Sequence, residues 1–198
     1  MTSEQIVAFL LFAVAAAVTP GPSNIMLTAV GASTSMIRGL PCLLGVTLGM
    51  GFMMFAVAFG LGSLVLDNPT VLSVLNYVGA GYLLWLAWRI ATAGQSEETT
   101  TQRPIGFFGA AAFQWVNPKS WLVSTSAAGA YLDTEAGNAL LQSALFGGLF
   151  AFATLPSGLV WLVFGVAVQH TLRNERARRA FNITMALLLT GSVILILW

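Results

Sequence analysis

The chain has 198 residues, of which 57% are hydrophobic and only 8% are charged. Soluble domains carry about 25% charged residues, so this composition excludes a water-facing globular surface and indicates an integral membrane protein. The formal net charge of +1 provides no basic field that would attract nucleic acid. The single cysteine, Cys42, lies in an apolar run and excludes an internal disulfide.

Charged and polar residues divide the sequence into six apolar blocks, each close to or above the roughly 20 residues that a helix needs to cross a bilayer. Residues 31–35, at the end of the first block, are predicted to form the loop that leaves the first span. The fifth block is too long for a simple span, so either Pro156 kinks it or its first residues lie at the membrane interface. The blocks are residues 5–37, 40–66, 70–88, 104–132, 136–171 and 180–198.

Basic and acidic residues of the loops fall on opposite sides of a six-span arrangement. Asp67, Asp133 and Glu135 lie in the second and fourth loops, which carry no basic residue. Because loops rich in Lys and Arg stay in the cytoplasm, the odd-numbered loops are predicted to be cytoplasmic and both termini to lie outside. The arginines of these cytoplasmic loops are Arg38, Arg89, Arg103, Arg173, Arg176, Arg178 and Arg179.

A polar stretch in the middle of the chain separates two halves of three spans each. The halves are residues 1–94 and 104–198, and a cytoplasmic linker at 95–103 joins them. An odd number of spans sends the second half into the membrane from the opposite side, so any repeat must be inverted. The predicted fold class is therefore an all-α integral membrane protein, with six transmembrane helices arranged as two inverted three-helix repeats.

Each half carries an interruption in its first span. The first is the run Thr19-Pro20-Gly21-Pro22 and the second is Asn117-Pro118-Lys119. At 1.5 Å per helical residue, both breaks lie roughly 21–23 Å along their spans. A broken helix exposes amide and carbonyl groups, and two opposed breaks can hold the carboxylate and ammonium of a zwitterion. Matched interruptions of this kind are typical of the binding site of a membrane carrier.

Lys119 is the only lysine of the chain and the only charged residue between positions 104 and 132. A cation in an apolar span is costly, so it normally has a partner or a function. Two interpretations remain open: Lys119 binds substrate, or it snorkels to an interface about 9 Å away if the span begins near Phe113. The residues predicted to bind substrate are Pro20, Gly21, Pro22, Asn24, Gln114, Asn117, Pro118 and Lys119.

Other features favour other roles or exclude them. Gly45 and Gly49 form a GxxxG spacing, which is more typical of helix packing than of a substrate path. His170, the only histidine, lies near the predicted cytoplasmic end of the fifth span, where a proton role is an alternative. With no acidic residue inside a span, the sequence predicts neither a nucleophile–base pair nor a metal cluster, and hence no enzyme and no cofactor. A scaffold function and a homo-oligomer remain open.

Four motifs in the first four spans, in this order and spacing, resemble those of the LysE/RhtB family of amino-acid exporters. The motifs are the run from Thr19 to Asn24, Gly39-Leu40 with Gly45 and Gly49, the run from Gly79 to Arg89, and Asn117-Pro118-Lys119.

The resemblance implies a six-helix carrier of two inverted repeats in the cytoplasmic (inner) membrane. It implies export of amino acids or related small metabolites, driven by the proton gradient, with a carrier of some other metabolite as the alternative. Under this resemblance the substrate is an amino-acid-like small molecule, and the conserved family site contains Pro20, Gly21, Pro22, Asn117, Pro118 and Lys119.

Overall fold

The computed structural model describes residues 1–92, 105–132, 138–171 and 174–197 of the chain, and every regular element in these ranges is helical. This agrees with the all-α class that the apolar blocks predict. A π-helical turn at Val57–Leu61 joins α3 to α4. The α-helices are α1 (Ser3–Val18), α2 (Pro22–Ser33), α3 (Met36–Ala56), α4 (Gly62–Leu66), α5 (Pro69–Ala91), α6 (Phe107–Val116), α7 (Pro118–Tyr131), α8 (Ala139–Thr171) and α9 (Glu175–Leu197).

The first apolar block forms two helices rather than one. Three non-helical residues, 19–21, separate α1 from α2, and the two helices are bent by 55° with respect to each other. The interruption coincides with Pro20 and Pro22, neither of which has a backbone N–H to continue the helical ladder. The loop predicted at 31–35 begins later than expected, because α2 continues to Ser33 and leaves two residues before α3.

Several helices extend past the limits that charge predicts. α3 already contains Arg38, and α5 continues past Arg89, whose guanidinium carbon lies 5.1 Å from the ring centre of Trp85. α9 begins at Glu175, ahead of the predicted sixth block, so the following arginines are helical. Charge marks where a chain leaves the hydrocarbon, whereas a helix continues until its backbone ladder is capped or broken. The helices therefore extend beyond the predicted spans.

Two further elements depart from a uniform helix. The second block is interrupted near its end by the π-helical turn, in which Gly60 has φ 122°. That left-handed value favours glycine, and the Ser63 hydroxyl donates to the Gly60 carbonyl over 2.9 Å. α8 is one helix of 33 residues and contains Pro156 within it.

Among the described residues, three helical stretches are long and apolar enough to cross a membrane. A fourth is added if the bent pair α1 and α2 counts as one span. The stretches are Met36–Val65, Pro69–Ala91 and Ala139–Val168. The chain is therefore a helical multi-pass membrane protein. The predicted linker at 95–103, the charges of Arg103, Asp133, Glu135 and Arg173, and the His170 side chain lie outside the described set.

Glycines bring the central helices into backbone contact. A Cβ added to Gly51 of α3 would lie 2.9 Å from the carbonyl oxygen of Gly147 in α8. A Cβ on Gly49 would lie 2.8 Å from Ala111 Cα of α6, and one on Gly45 would meet the α6 backbone in the same way. The packing interpretation of this GxxxG pair is confirmed. α5 and α9 pack mainly on each other, beside this centre.

Candidate functional site

The first break is capped by a buried side chain from the helix that follows it. Asn24, only 7% exposed, donates from Nδ2 to the carbonyl oxygens of Ala17 at 3.0 Å and Thr19 at 2.9 Å. These carbonyls belong to the end of α1, where the helical ladder leaves acceptors without partners. α2 then begins with Pro22 at its first position and with the extended residue Gly21 as N-cap.

The second break consists of one residue, Asn117, which ends α6 and caps α7. Its backbone is extended, and its side-chain oxygen accepts from the backbone N–H of Lys119 over 3.1 Å. Pro118 occupies the first position of α7, where a missing N–H carries no penalty. On the other side of the break, the Trp121 indole donates to the Trp115 carbonyl over 2.8 Å. Both new helix ends therefore find partners within a few residues.

A network of neutral polar groups joins the two breaks. Ser23 accepts a hydrogen bond from Asn117 Nδ2 at 3.0 Å and donates to Gln114 Oε1 at 3.0 Å. Ser120 donates to the same Gln114 oxygen at 3.0 Å, and Gln114 Nε2 donates to the Ala110 carbonyl at 3.0 Å. Gln114 is fully buried, so these partners satisfy an amide that would otherwise be costly in the interior.

Lys119 crosses from the second break to the first. Its ammonium donates to the Thr19 carbonyl at 2.5 Å and approaches the Pro20 carbonyl at 3.4 Å. The side chain passes over Gly21, where an added Cβ would lie 2.7 Å from Lys119 Cδ. The Lys119 ammonium is therefore held by the carbonyl end of α1, whose dipole favours a cation.

A small cavity of about 40 Å³ lies against this network. One water needs roughly 10–15 Å³ of such space, so the cavity has room for about three waters. Apart from Lys119, its polar lining is neutral, and its apolar lining comes from several helices. The lining residues are Ala16, Ala17, Gly21, Ser23, Asn24, Val46, Met50, Gln114, Asn117, Lys119, Ser120, Val123, Phe150, Thr154 and Gly158.

The structure brings the eight residues singled out from the sequence to the two breaks. Gly21, Asn24, Gln114, Asn117 and Lys119 line the cavity. The three prolines shape the breaks themselves, since Pro20 lies within the first break and the other two begin α2 and α7.

Sequence reasoning missed several lining residues. Ser23 and Ser120 were adjacent to residues already chosen, so position alone could have found them. Phe150 and Thr154 lie on α8, and no motif in the sequence marks them. Among the described residues, no three His, Cys, Asp or Glu side chains come together as a metal site.

Comparison with known proteins assigns the chain to a family. It is 31% identical over 191 residues to the cysteine/O-acetylserine efflux protein of Salmonella typhimurium (strain LT2), covering 96% of this chain and 95% of the relative. Its identity to the protein of the same description from Escherichia coli (strain K12) is 30%, with the same coverage. No solved structure matches. The sequence profile of the family described as LysE type translocator matches residues 14–197, so the protein is a transporter rather than an enzyme and belongs to this family.

Proposed function

We propose that the protein exports small neutral amino acids, or close derivatives of them, across the cytoplasmic membrane. One observation carries the proposal: the only lysine of the chain meets a network of amide and hydroxyl groups where two broken helices face each other. A lysine can bind a carboxylate, while neutral amides and carbonyls can orient an ammonium.

The relatives and the cavity lining support the same substrate class. The Salmonella and Escherichia coli relatives are named for efflux of cysteine and O-acetylserine, which are small neutral amino acids. In the described structure the cavity offers no second charged side chain that would select a charged substrate. Its apolar wall includes Val46, Met50 and Phe150, which suit a short and weakly polar substrate side chain.

The proposal includes six spans in two inverted repeats, residues 1–94 and 104–198, with the linker at 95–103 in the cytoplasm and both termini outside. The helix packing supports this arrangement. α3 pairs with α8 and α5 pairs with α9, so each pair joins equivalent spans of the two halves. Both helices of the broken first span, α1 and α2, pack on α8, and both helices of the broken fourth span, α6 and α7, pack on α3. These two sets of contacts exchange when the halves are exchanged.

Alternating access is the proposed mechanism, and the difference in packing toward the two predicted membrane faces supports it. At the predicted cytoplasmic end, backbone meets backbone: a Cβ on Gly31 would lie 3.1 Å from Gly165 Cα. At the opposite end, aromatic side chains meet around Phe9, whose ring centre lies 4.8 Å from that of Phe146 and 5.6 Å from that of Tyr131. An end closed by side chains can open by smaller movements than one closed by helix backbones.

The test is efflux from proteoliposomes loaded with labelled amino acids. The panel contains cysteine, O-acetylserine, alanine, lysine and glutamate, and Lys119→Ala serves as the binding-site variant. We expect efflux of the small neutral members, lost in the variant at equal reconstituted protein. An imposed inward proton gradient should accelerate efflux if the carrier is proton-driven, and should leave the rate unchanged if export is facilitated only.

Two results would overturn the proposal. One is efflux that Lys119→Ala leaves at the wild-type rate, because the two breaks would then not hold the substrate. The other is a folded, reconstituted protein that exports none of the five amino acids, which would favour a different metabolite as cargo.

A further inference from the structure

The carbonyl oxygens at the end of α1 form a small cluster that already holds an ammonium group. Thr19 O accepts from Lys119 Nζ at 2.5 Å, and Pro20 O lies 3.4 Å from the same nitrogen. Asn24 holds Thr19 O and Ala17 O from the other side, which fixes the direction of these acceptors. The cluster consists of backbone atoms, so it carries partial negative charge without a carboxylate.

Lys119 has no fixed anion to neutralise it within the described residues. The ion pair that joins Arg178 to Glu175 lies on the first turns of α9 and does not involve Lys119. A primary ammonium carries three donors, and the carbonyls of Thr19 and Pro20 engage two of them. The positive charge of Lys119 is therefore held by dipoles, and a ligand carboxylate would offer it a stronger partner.

The Lys119 side chain must move if a substrate is to use these carbonyls, because its ammonium already occupies them. The adjacent cavity, with room for about three waters, lies beside this position. The lining also includes the buried amides of Gln114 and Asn117, which are held by hydrogen bonds. Lys119 is half-buried, and its long side chain can leave the carbonyls through rotations about its own bonds.

We infer that the Thr19 and Pro20 carbonyls are the ammonium subsite for the substrate, and that Lys119 occupies this subsite while the carrier is empty. An incoming amino acid exchanges partners with the lysine: its ammonium takes the carbonyls, and its carboxylate takes the released Lys119 ammonium. This inference rests on the proposed function, since it assumes a zwitterionic cargo. No covalent bond changes, and the number of charge-assisted hydrogen bonds rises.

Because of this exchange, the ammonium and the carboxylate of the substrate should bind cooperatively. A ligand with only an ammonium must displace Lys119 and gives it no partner in return, so it binds weakly. A ligand with only a carboxylate draws Lys119 away and leaves the carbonyls vacant. The second fragment should therefore bind more tightly once the first is present, and this coupling must be equal in both directions.

The experiment measures the binding of ethylammonium and propionate to the purified protein in nanodiscs by calorimetry, at constant ionic strength. In the wild type, saturating propionate should tighten ethylammonium binding by about 10-fold, which is within the usual range of coupling between sites. Independent or competitive binding of the two fragments would overturn the inference. This measurement needs no variant, so it stands even where substitutions impair folding.

Two variants provide a matched comparison. Lys119→Ala empties the subsite, so ethylammonium should bind about 10-fold or more tightly without propionate, because the competent state is then fully populated. Lys119→Met removes the same charge but leaves a chain that fills the space, so its gain should be clearly smaller. Equal gains in ethylammonium affinity in the two variants would mean that removal of the Lys119 charge alone explains the effect. That result would overturn the proposed subsite.

The result is separable from the cargo proposal. If no amino acid is exported but the fragments still bind cooperatively, the subsite stands and the choice of cargo fails. If amino acids are exported but the fragments bind independently, the export proposal stands and the exchange of partners fails.

Discussion

The two helix breaks differ in how the backbone groups at their helix ends find hydrogen-bond partners. The second break is one residue long, and it is closed by its own neighbours: Asn117 caps α7, and an indole from the next turn caps α6. The first break is three residues long and depends on Asn24 and on Lys119, which comes from the other half of the chain. The caps of the second break come from its own neighbours and do not depend on the other half of the chain. A break capped by a distant lysine can change when that lysine changes partner.

α5 strengthens the contrast by supporting the second break from behind. Gly79 lies so close to the Val116 carbonyl that an added Cβ would overlap it. The last carbonyl of α6 is thus covered by helix backbone. The first break faces the cavity through Gly21, where an added Cβ would meet the Lys119 side chain and not helix backbone. We therefore expect the second break to act as the fixed side of the site and the first as the adaptable side.

The largest effect is expected for Lys119→Met, which removes the contact between the breaks while keeping the chain length. A hydrogen bond to a charged group contributes about 1.5–3 kcal/mol, and the half-buried Lys119 ammonium contacts two carbonyls, so transport should fall by roughly 100-fold. The measurement is the initial rate of efflux at equal protein. Arg176→Met removes an exposed cation on the first turn of α9 and should retain the wild-type rate. Comparable losses in both variants would show that net charge, and not the contact, matters.

Asn24→Ala should have the next largest effect. It leaves the carbonyls of Ala17 and Thr19 without their amide donor, at a cost of about 2 kcal/mol in stability and a loss of roughly 10-fold in transport. Thermal unfolding and efflux measure the two effects. The control is Asn68→Ala, which removes a helix cap at the start of α5 and should cost about 1 kcal/mol without affecting transport. If Asn24→Ala reduces stability and transport no more than Asn68→Ala does, the first break does not depend on its asparagine cap.

Gly21→Ala should reduce transport by about 3- to 10-fold with little change in stability. The backbone of Gly21 is extended, with φ −174°, so alanine is not strained there. The new Cβ would instead displace the flexible Lys119 side chain, which lies within 3.0 Å of it at both Cδ and Nζ. Gly129→Ala in α7 is the matched control, because an added Cβ there meets nothing within 4 Å. Equal transport rates in Gly21→Ala and Gly129→Ala would show that transport does not need the space over Gly21 that the Lys119 side chain occupies.

The smallest effect on transport is expected for Trp121→Phe, which removes the indole cap of α6. The lost hydrogen bond should lower the free energy of unfolding by about 1 kcal/mol. Efflux should remain within about 2-fold of the wild type, because Gly79 and Asn117 still hold the second break in place. A strong transport defect in this variant would mean that the second break also moves during the cycle.

The two breaks could be predicted from the sequence because their residues are unfavourable in an apolar helix. Prolines interrupt a helical ladder, and a lysine in an apolar run is costly, so both features are visible without a structure. Helix boundaries were less predictable, since charge reports the membrane edge and not the end of a backbone ladder. The π-helical turn at Gly60 was missed because a single glycine in an apolar helix has many ordinary explanations.

The contacts across the site could not be predicted in the same way. The bonds from Ser23 to Gln114 and from Lys119 to Thr19 join residues about a hundred positions apart. No periodicity encodes which atoms face each other after two bent helices pack together. The contribution of α8 through Phe150 and Thr154 was also invisible, because these residues are ordinary members of an apolar helix.

The presence of one lysine in the whole chain gives the site a built-in chemical reporter. A reagent specific for primary amines can modify one position within the described helices, and it is the position that bridges the two breaks. The Lys119→Met variant measures the background modification that comes from all other amines in the preparation. The rate of modification then follows the partner of the lysine directly, in the native protein and without an introduced label.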